Sequence, residues 1–194
     1  MKLALFGYGG HAREVASQMQ EEVDFFVDDE FVKSTNGKAN PISEFNPKTH
    51  MMLIAISDPK LREEAVKRMP SETLYFTYIH PSVHVMDNII EIGEGSFIGA
   101  NSILTTNITA GKHTILNRGN HIGHDCVIGD YLSMMPGSII SGNVNIGDKV
   151  YIGSNATIKE KTNICDNVVI GMSSCAVKNI TESGIYVGTP CKKI

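Results

Sequence analysis

Ile92-Gly93-Glu94-Gly95-Ser96-Phe97-Ile98-Gly99-Ala100-Asn101-Ser102-Ile103-Leu104 repeats a six-residue unit, and the register it sets runs on without insertion to Ile170. Every sixth residue from Ile92, through Leu104, Leu116, Ile128, Met134 and Ile152, is apolar, fourteen positions in all. The residue four places later in each unit is mostly small or aliphatic, as at Ser96, Ser102, Cys126, Val144, Ala156 and Val168. Neither the 3.6-residue helix period nor the two-residue strand period produces such a pattern. Two inward positions per six residues, with a turn-permissive one between short strands, describe a three-sided parallel β-coil. The glycines that follow eight of the fourteen apolar positions, at 93, 99, 111, 123, 129, 147, 153 and 171, are expected to be those turn-permissive residues. Three units make a turn of eighteen residues, so the array holds four to five coils, a prism about 20 Å tall at the usual strand spacing.

Upstream of Pro81 the composition changes. Lys2–Phe6 reads as an apolar strand, Gly7-Tyr8-Gly9-Gly10 as a tight turn, and His11–Glu22 as a helix with Ala12, Val15, Ala16 and Met19 on one face. Asp24–Val27 reads as a second strand ending in Asp28-Asp29, and Met51–Ile56 as a third. Asp58-Pro59 then caps a helix over Lys60–Met69, and Leu74–Ile79 reads as a fourth strand. Alternating strands and helices predict a small parallel α/β sheet. The expected organisation is a Rossmann-like α/β domain over 1–80 and an all-β domain over 81–194.

The 194 residues leave no room for another full-sized domain. With 42% hydrophobic and 20% charged residues the chain can bury a core. A net charge of −4 offers no basic surface for nucleic acid or anionic lipid. No apolar run approaches the ~18 residues of a membrane span, and Gly7 interrupts the only N-terminal candidate for a signal segment, so neither membrane insertion nor export is expected. Cys126, Cys165, Cys175 and Cys191 form neither a CxxC knuckle nor a disulfide framework, which points to reduced thiols in a cytoplasm.

A hexad array following a Gly-x-Gly-Gly-His α/β unit resembles the bacterial sugar acyltransferases of the sialic-acid O-acetyltransferase and UDP-amino-sugar N-acetyltransferase group, the NeuD/PglD type. The resemblance spans essentially the whole chain. It rests on Gly7-Tyr8-Gly9-Gly10-His11, Asp28-Asp29, the hexads from 92 to 170, His124-Asp125-Cys126-Val127-Ile128-Gly129-Asp130, and Val187-Gly188-Thr189-Pro190-Cys191-Lys192. It implies a left-handed parallel β-helix of hexapeptide repeats. It also implies a homotrimer, acetyl-CoA lying in the groove between neighbouring coils, and a nucleotide sugar held partly by the N-terminal domain.

Acetyl transfer from a thioester needs a base, donors for the carbonyl oxygen as it gains charge, and a site that aligns both substrates. Of seven histidines, only His121 and His124 fall in the central coils near a possible orienting acid. Ile122 and Cys126 occupy inward positions, so His124 projects outward, and the family match assigns it as general base. Asp125 is the candidate orienter. Adjacent strand residues face opposite sides, so Asp125 is expected to reach His124 only across a bend or a subunit boundary. Where the family often carries a second His, this chain has Ser133, expected to contact the thioester or pantetheine; His121 stands where the family has an apolar residue.

Gly7-x-Gly9-x-x-Ala12 with Asp28-Asp29 about twenty residues later also fits a dinucleotide fingerprint. About eighty residues cannot hold a full dinucleotide fold, and a half-site for a nucleotide sugar fits better. Gly9, Gly10 and His11 would meet the sugar or phosphates through backbone N–H groups, while Asp28 and Asp29 would bond the base, ribose or sugar. Backbone around Gly153, Gly171 and Gly188 is expected to line the CoA slot. No metal and no covalent acyl-enzyme are expected, since Cys126 faces inward. The resulting expectation is N-acetylation of a nucleotide-linked amino sugar for surface-glycan synthesis, a 4-amino-4,6-dideoxy sugar fitting best. The alternatives are O-acetylation of sialic acid or another sugar hydroxyl, a zinc hydrolyase on the same coil using His121 and His124, and a non-catalytic sugar-sensing module.

Overall fold

The structure, a computed structural model, describes residues 1–87 and 89–194. β1 (Lys2–Phe6), α1 (Gly10–Gln18), β2 (Val23–Val27), β3 (Asn40–Pro41), β4 (His50–Ile54) and α2 (Pro59–Arg68) form the N-terminal unit. Its sheet is parallel throughout, in the order β3-β2-β1-β4. Asp58 accepts from the N–H groups of Lys60 and Leu61, and Pro59 supplies the fixed φ that a first helical turn favours. α1 ends four residues before the expected Glu22. The Gln18 carbonyl accepts from the Tyr78 hydroxyl and its side-chain oxygen accepts from the Ala100 N–H, while Met19 turns extended and packs inward. Tertiary contact therefore overrides local helix propensity there.

The expected fourth strand divides between two sheets. Tyr75 bridges to Met52 in the N-terminal unit, whereas Tyr78–Ile79 pairs with Phe97–Ile98 and is already the first rung of the coil. From there three sheets of eight, six and five strands make the three faces of a prism, parallel except where the last strand, Cys191–Lys193, folds back antiparallel on Gly184–Gly188 at the edge of the eight-stranded sheet. Each rung pairs with one eighteen residues on: Ile98 with Leu116, then Met134, Ile152 and Ile170. Thirteen of the fourteen repeat positions are buried, with Ile92 half-buried at the open end.

The turns differ from expectation in which residue makes them. Residues 95, 101, 107 and every sixth onward to 173 all have positive φ, between 51° and 73°. Two places earlier, all eight glycines have ordinary backbone angles, and seven of them serve a different end. A Cβ on Gly93 would lie 2.5 Å from the Lys112 nitrogen, and one on Gly123 2.6 Å from the Gly142 nitrogen, in the coil above. Those glycines are required because successive coils stack too closely for any side chain there. The eighth, Gly171, meets the Val187 side chain instead.

The prism is filled by its own aliphatic core. A second core lies between the N-terminal sheet and α2. A third, on the α1 side, includes Leu5, Val15 and Leu53 together with Phe97 and Ile115 from the outside of the coil. One face of the prism is thereby roofed by the N-terminal unit. Arg62 locks this seam. It is fully buried and donates to five carbonyls, those of Ile56 and Ser57 below and of His113, Tyr131 and Leu132 in two coils. Burial lowers its pKa to about 9, and the Asp58 carboxylate opposes that shift.

Candidate active site

His124 and Asp125 lie at a corner of the prism that the N-terminal unit leaves open. Asp125 is the residue of positive φ at that corner, 58°, and this bend turns its side chain back toward its neighbour. The result is a 2.7 Å hydrogen bond between His124 Nδ1 and Asp125 Oδ2 within one chain. Both side chains stay about half exposed, at 56% and 45%. The Asp125 carboxyl is held below its ordinary range, first by the hydrogen bond from Asn107 and then by that from His124. A carboxylate accepts only, so Nδ1 carries a proton, and in the neutral ring Nε2 keeps the lone pair. Nε2 lies over Gly142 in the next coil, where a Cβ would come within 2.5 Å of it. Cys126, two residues on, points inward, is fully buried and gives its thiol to the Ser141 carbonyl at 3.2 Å. Burial pushes that thiol's pKa up, the wrong direction for a nucleophile.

At the C-terminal edge of the N-terminal sheet a cavity of about 360 Å³ is lined by Gly7, Tyr8, Gly9, Asp28, Phe31 and Thr35, among others. Such a crevice outside the strand ends is where open α/β sheets take ligands. Arg68 grips Asp28 through both its terminal nitrogens, at 2.8 and 3.4 Å. Asp29 instead accepts from the Ser43 N–H and closes the loop beside the cavity. Gly9 is the N-cap of α1 and Gly10 its first residue, so their N–H groups belong to the free first turn. The His11 ring turns toward the seam. It is mostly buried, lies 3.9 Å from Glu14, and burial followed by the Arg62 charge lowers its pKa to about 4. Its Nε2 is buried with no hydrogen-bond partner among the described residues.

Ser133 differs from expectation. It sits on the roofed face, fully buried, and its hydroxyl donates to the Ser57 carbonyl at 2.6 Å. That hydroxyl is already committed to the seam and closed to a thioester or pantetheine. Gly153 stacks on Met172, Gly171 faces Val187, and the Gly188 N–H donates to Ser174 Oγ at 3.0 Å. His121 is exposed on an outer face beside Ile103 and Ile139. Among the described residues, no group of three or more His, Cys, Asp or Glu side chains could hold a metal ion.

Comparison with known proteins bears on both halves. Residues 2–69 match the PglD N-terminal domain family. GDP-perosamine N-acetyltransferase of Escherichia coli O157:H7 is 28% identical over 149 residues, 69% of this chain and 67% of that protein. The acetyltransferase domain of PglB from Neisseria gonorrhoeae FA1090, solved with acetyl coenzyme A, is 25% identical, with a TM-score of 0.88 over 100% of this chain and 98% of that one. Residues 2–69 thus belong to the PglD N-terminal domain family, and over its length the chain is similar to NeuD/PglD-type hexapeptide-repeat acyltransferases. A mutant perosamine N-acetyltransferase from Caulobacter crescentus, in complex with CoA and GDP-perosamine, shares the fold at 22% identity, with a TM-score of 0.89 over 100% of this chain and 97% of that one.

The prism is accordingly the left-handed β-helix of hexapeptide repeats. The sequence reading missed two neighbours of the candidate dyad, Asn107 as a partner of Asp125 and Gly142 as the floor under the imidazole. Both lie one turn of coil away, at 125 − 18 and 124 + 18, and that arithmetic was the available signal.

Proposed function

We propose that the protein transfers the acetyl group of acetyl-CoA to the amine of a nucleotide-linked amino sugar, with His124 as general base and Asp125 as its orienter. The substrates named for the Escherichia coli, Caulobacter and Neisseria relatives support this reading. The observation that carries it is the His124–Asp125 bond at 2.7 Å on a half-exposed corner, which leaves Nε2 as the basic nitrogen beside the side-chain-free Gly142. In the reaction the neutral amine attacks the thioester carbonyl and a C–N bond forms. Nε2 takes the amine proton, and the imidazolium so formed is stabilised by Asp125. The tetrahedral intermediate then collapses with cleavage of the C–S bond, and the imidazolium returns its proton to the departing CoA sulfur. The products are the amide and free CoA, with no acyl-enzyme.

In this reading residues 1–80 bind the nucleotide sugar and 81–194 carry the acetyl transfer. The cavity beside Gly9 and Asp28 takes the nucleotide, with Gly10, the His11 backbone and Asp29 around it. Backbone near Gly153, Gly171 and Gly188 lines the CoA groove. The functional unit is a homotrimer, which the exposed Val127 and Ile139 on the faces beside the His124 corner favour. The cytoplasm is the compartment that supplies both cosubstrates, and a 4-amino-4,6-dideoxy sugar is the acceptor. The test is incubation with acetyl-CoA and a panel of UDP-, GDP-, dTDP- and CMP-linked sugars, read by product mass. Labelled acetyl that survives mild base identifies an amide. A base-labile product would assign O-acetylation instead, and ligand binding without turnover would leave a sensing module.

A further inference from the structure

We infer that Asn107 is a positioning residue for acetyl transfer, fixing the plane of the Asp125 carboxylate so that its second oxygen is presented to His124. The inference rests on the reading of His124 as base. Asn107 stands eighteen residues before Asp125 and so one coil below it at the same corner, with φ 51° against 58°. Its Nδ2 donates to Asp125 Oδ1 at 2.7 Å, while Asp125 Oδ2 takes His124 Nδ1 at the same distance. A half-exposed carboxylate held at one oxygen can rotate about its side-chain bonds. Held at both, it has a defined plane, and the imidazole inherits that orientation. The backbone repeats the arrangement: Asp125 N donates to the Thr106 carbonyl at 3.1 Å, and His124 O accepts from Asn143 N at 2.7 Å. The dyad is thus suspended between the coils below and above.

A purely conformational explanation for Asn107 exists, because Asn tolerates positive φ and also occupies the corners at 101, 143, 155 and 167. Glycine satisfies that requirement equally and removes the amide. Asn107→Gly, Asp125→Gly and the double variant therefore separate positioning from turn formation, read as single-turnover acetyl transfer, KM for both substrates and Tm. Asn107→Gly should slow transfer about tenfold, the scale of one hydrogen bond to a charged group, with KM and Tm unchanged. The double variant should be no slower than Asp125→Gly alone, because Asn107 acts only through Asp125. An unaltered rate in Asn107→Gly overturns the inference, as does an Asp125→Gly variant as fast as wild type, or effects that multiply in the double variant. His124→Ala, measured alongside, isolates the underlying reading: if it retains turnover, the base assignment fails irrespective of Asn107. If it is inactive while Asn107→Gly is normal, only the positioning role is lost.

Discussion

Two columns of corners run up the same coil at the same repeat position, and they have opposite fates. Gly95, His113, Tyr131 and Lys149 form one; Asn107, Asp125, Asn143 and Lys161 form the other. The backbone is alike in both, with φ between 51° and 71°. The first column lies at the roofed seam. His113 is buried there, stacked on Tyr131 at 5.2 Å and edge-on to Tyr75 at 4.7 Å, and its carbonyl accepts from Arg62. Burial, then the Arg62 charge, lowers its pKa to about 4. The second column is open, and its imidazole, one residue before the corner, is paired with a carboxylate. The contrast shows that the hexad scaffold is indifferent to chemistry. What covers a corner decides whether a histidine there is a silent packing group or an accessible imidazole.

Removing the cover should have the largest effect. Arg62→Ala takes the Arg62 donor from five carbonyls in a buried seam and is expected to cost about 3–5 kcal/mol, a Tm loss of about 10 °C by thermal denaturation. An unchanged Tm would mean that the seam is held elsewhere. On the open column, Gly142→Ala places a methyl where the imidazole lies and should reduce kcat about 10–100-fold while the coil stays folded, checked by steady-state kinetics and circular dichroism. Full activity would show that His124 is not confined by the coil above. In the N-terminal cavity, Asp28→Ala should raise KM for the nucleotide sugar about tenfold, and Asp29→Ala less, since Asp28 lines the cavity and Asp29 closes its loop. Equal KM values in both variants and wild type would detach the cavity from recognition.

The smallest effect concerns pH. His113 and His11 are neutral in the fold down to about pH 4 but protonate near 6.5 when unfolded. The unfolded chain binds more protons in that window, so their stabilising contribution is complete above about pH 6.5 and declines as pH falls toward 4. His113→Asn keeps the corner geometry and should remove part of that slope, about 5 °C of the acid-induced fall in Tm. An unaltered slope would show that His113 is not buried neutral.

Legibility in the sequence followed the physical origin of each feature. The inward positions from Ile92 to Ile170 were readable because burial imposes one residue class at a fixed period. The corners were not, because positive φ is imposed by the turn on whatever residue occupies it, including Tyr131, Lys149 and Lys161. Glycine was then credited with the turn when the stacking distance demanded it. Ser133 was misplaced because the hexad pattern marks a position as outward without saying which of three faces another unit covers. Arg62 gave no signal at all, reading as an ordinary charged position on a surface helix. His124 and Asp125 were legible as a pair, and their contact within one chain follows from a corner that an alternating strand pattern conceals.

Whether His124 is the base is decided by acetyl transfer in His124→Ala at saturating acetyl-CoA and nucleotide-linked amino sugar, with acetyl-CoA affinity measured on the same sample. kcat should fall by about 10²–10⁴ with affinity nearly intact. Turnover close to that of the unmodified protein would contradict the base assignment.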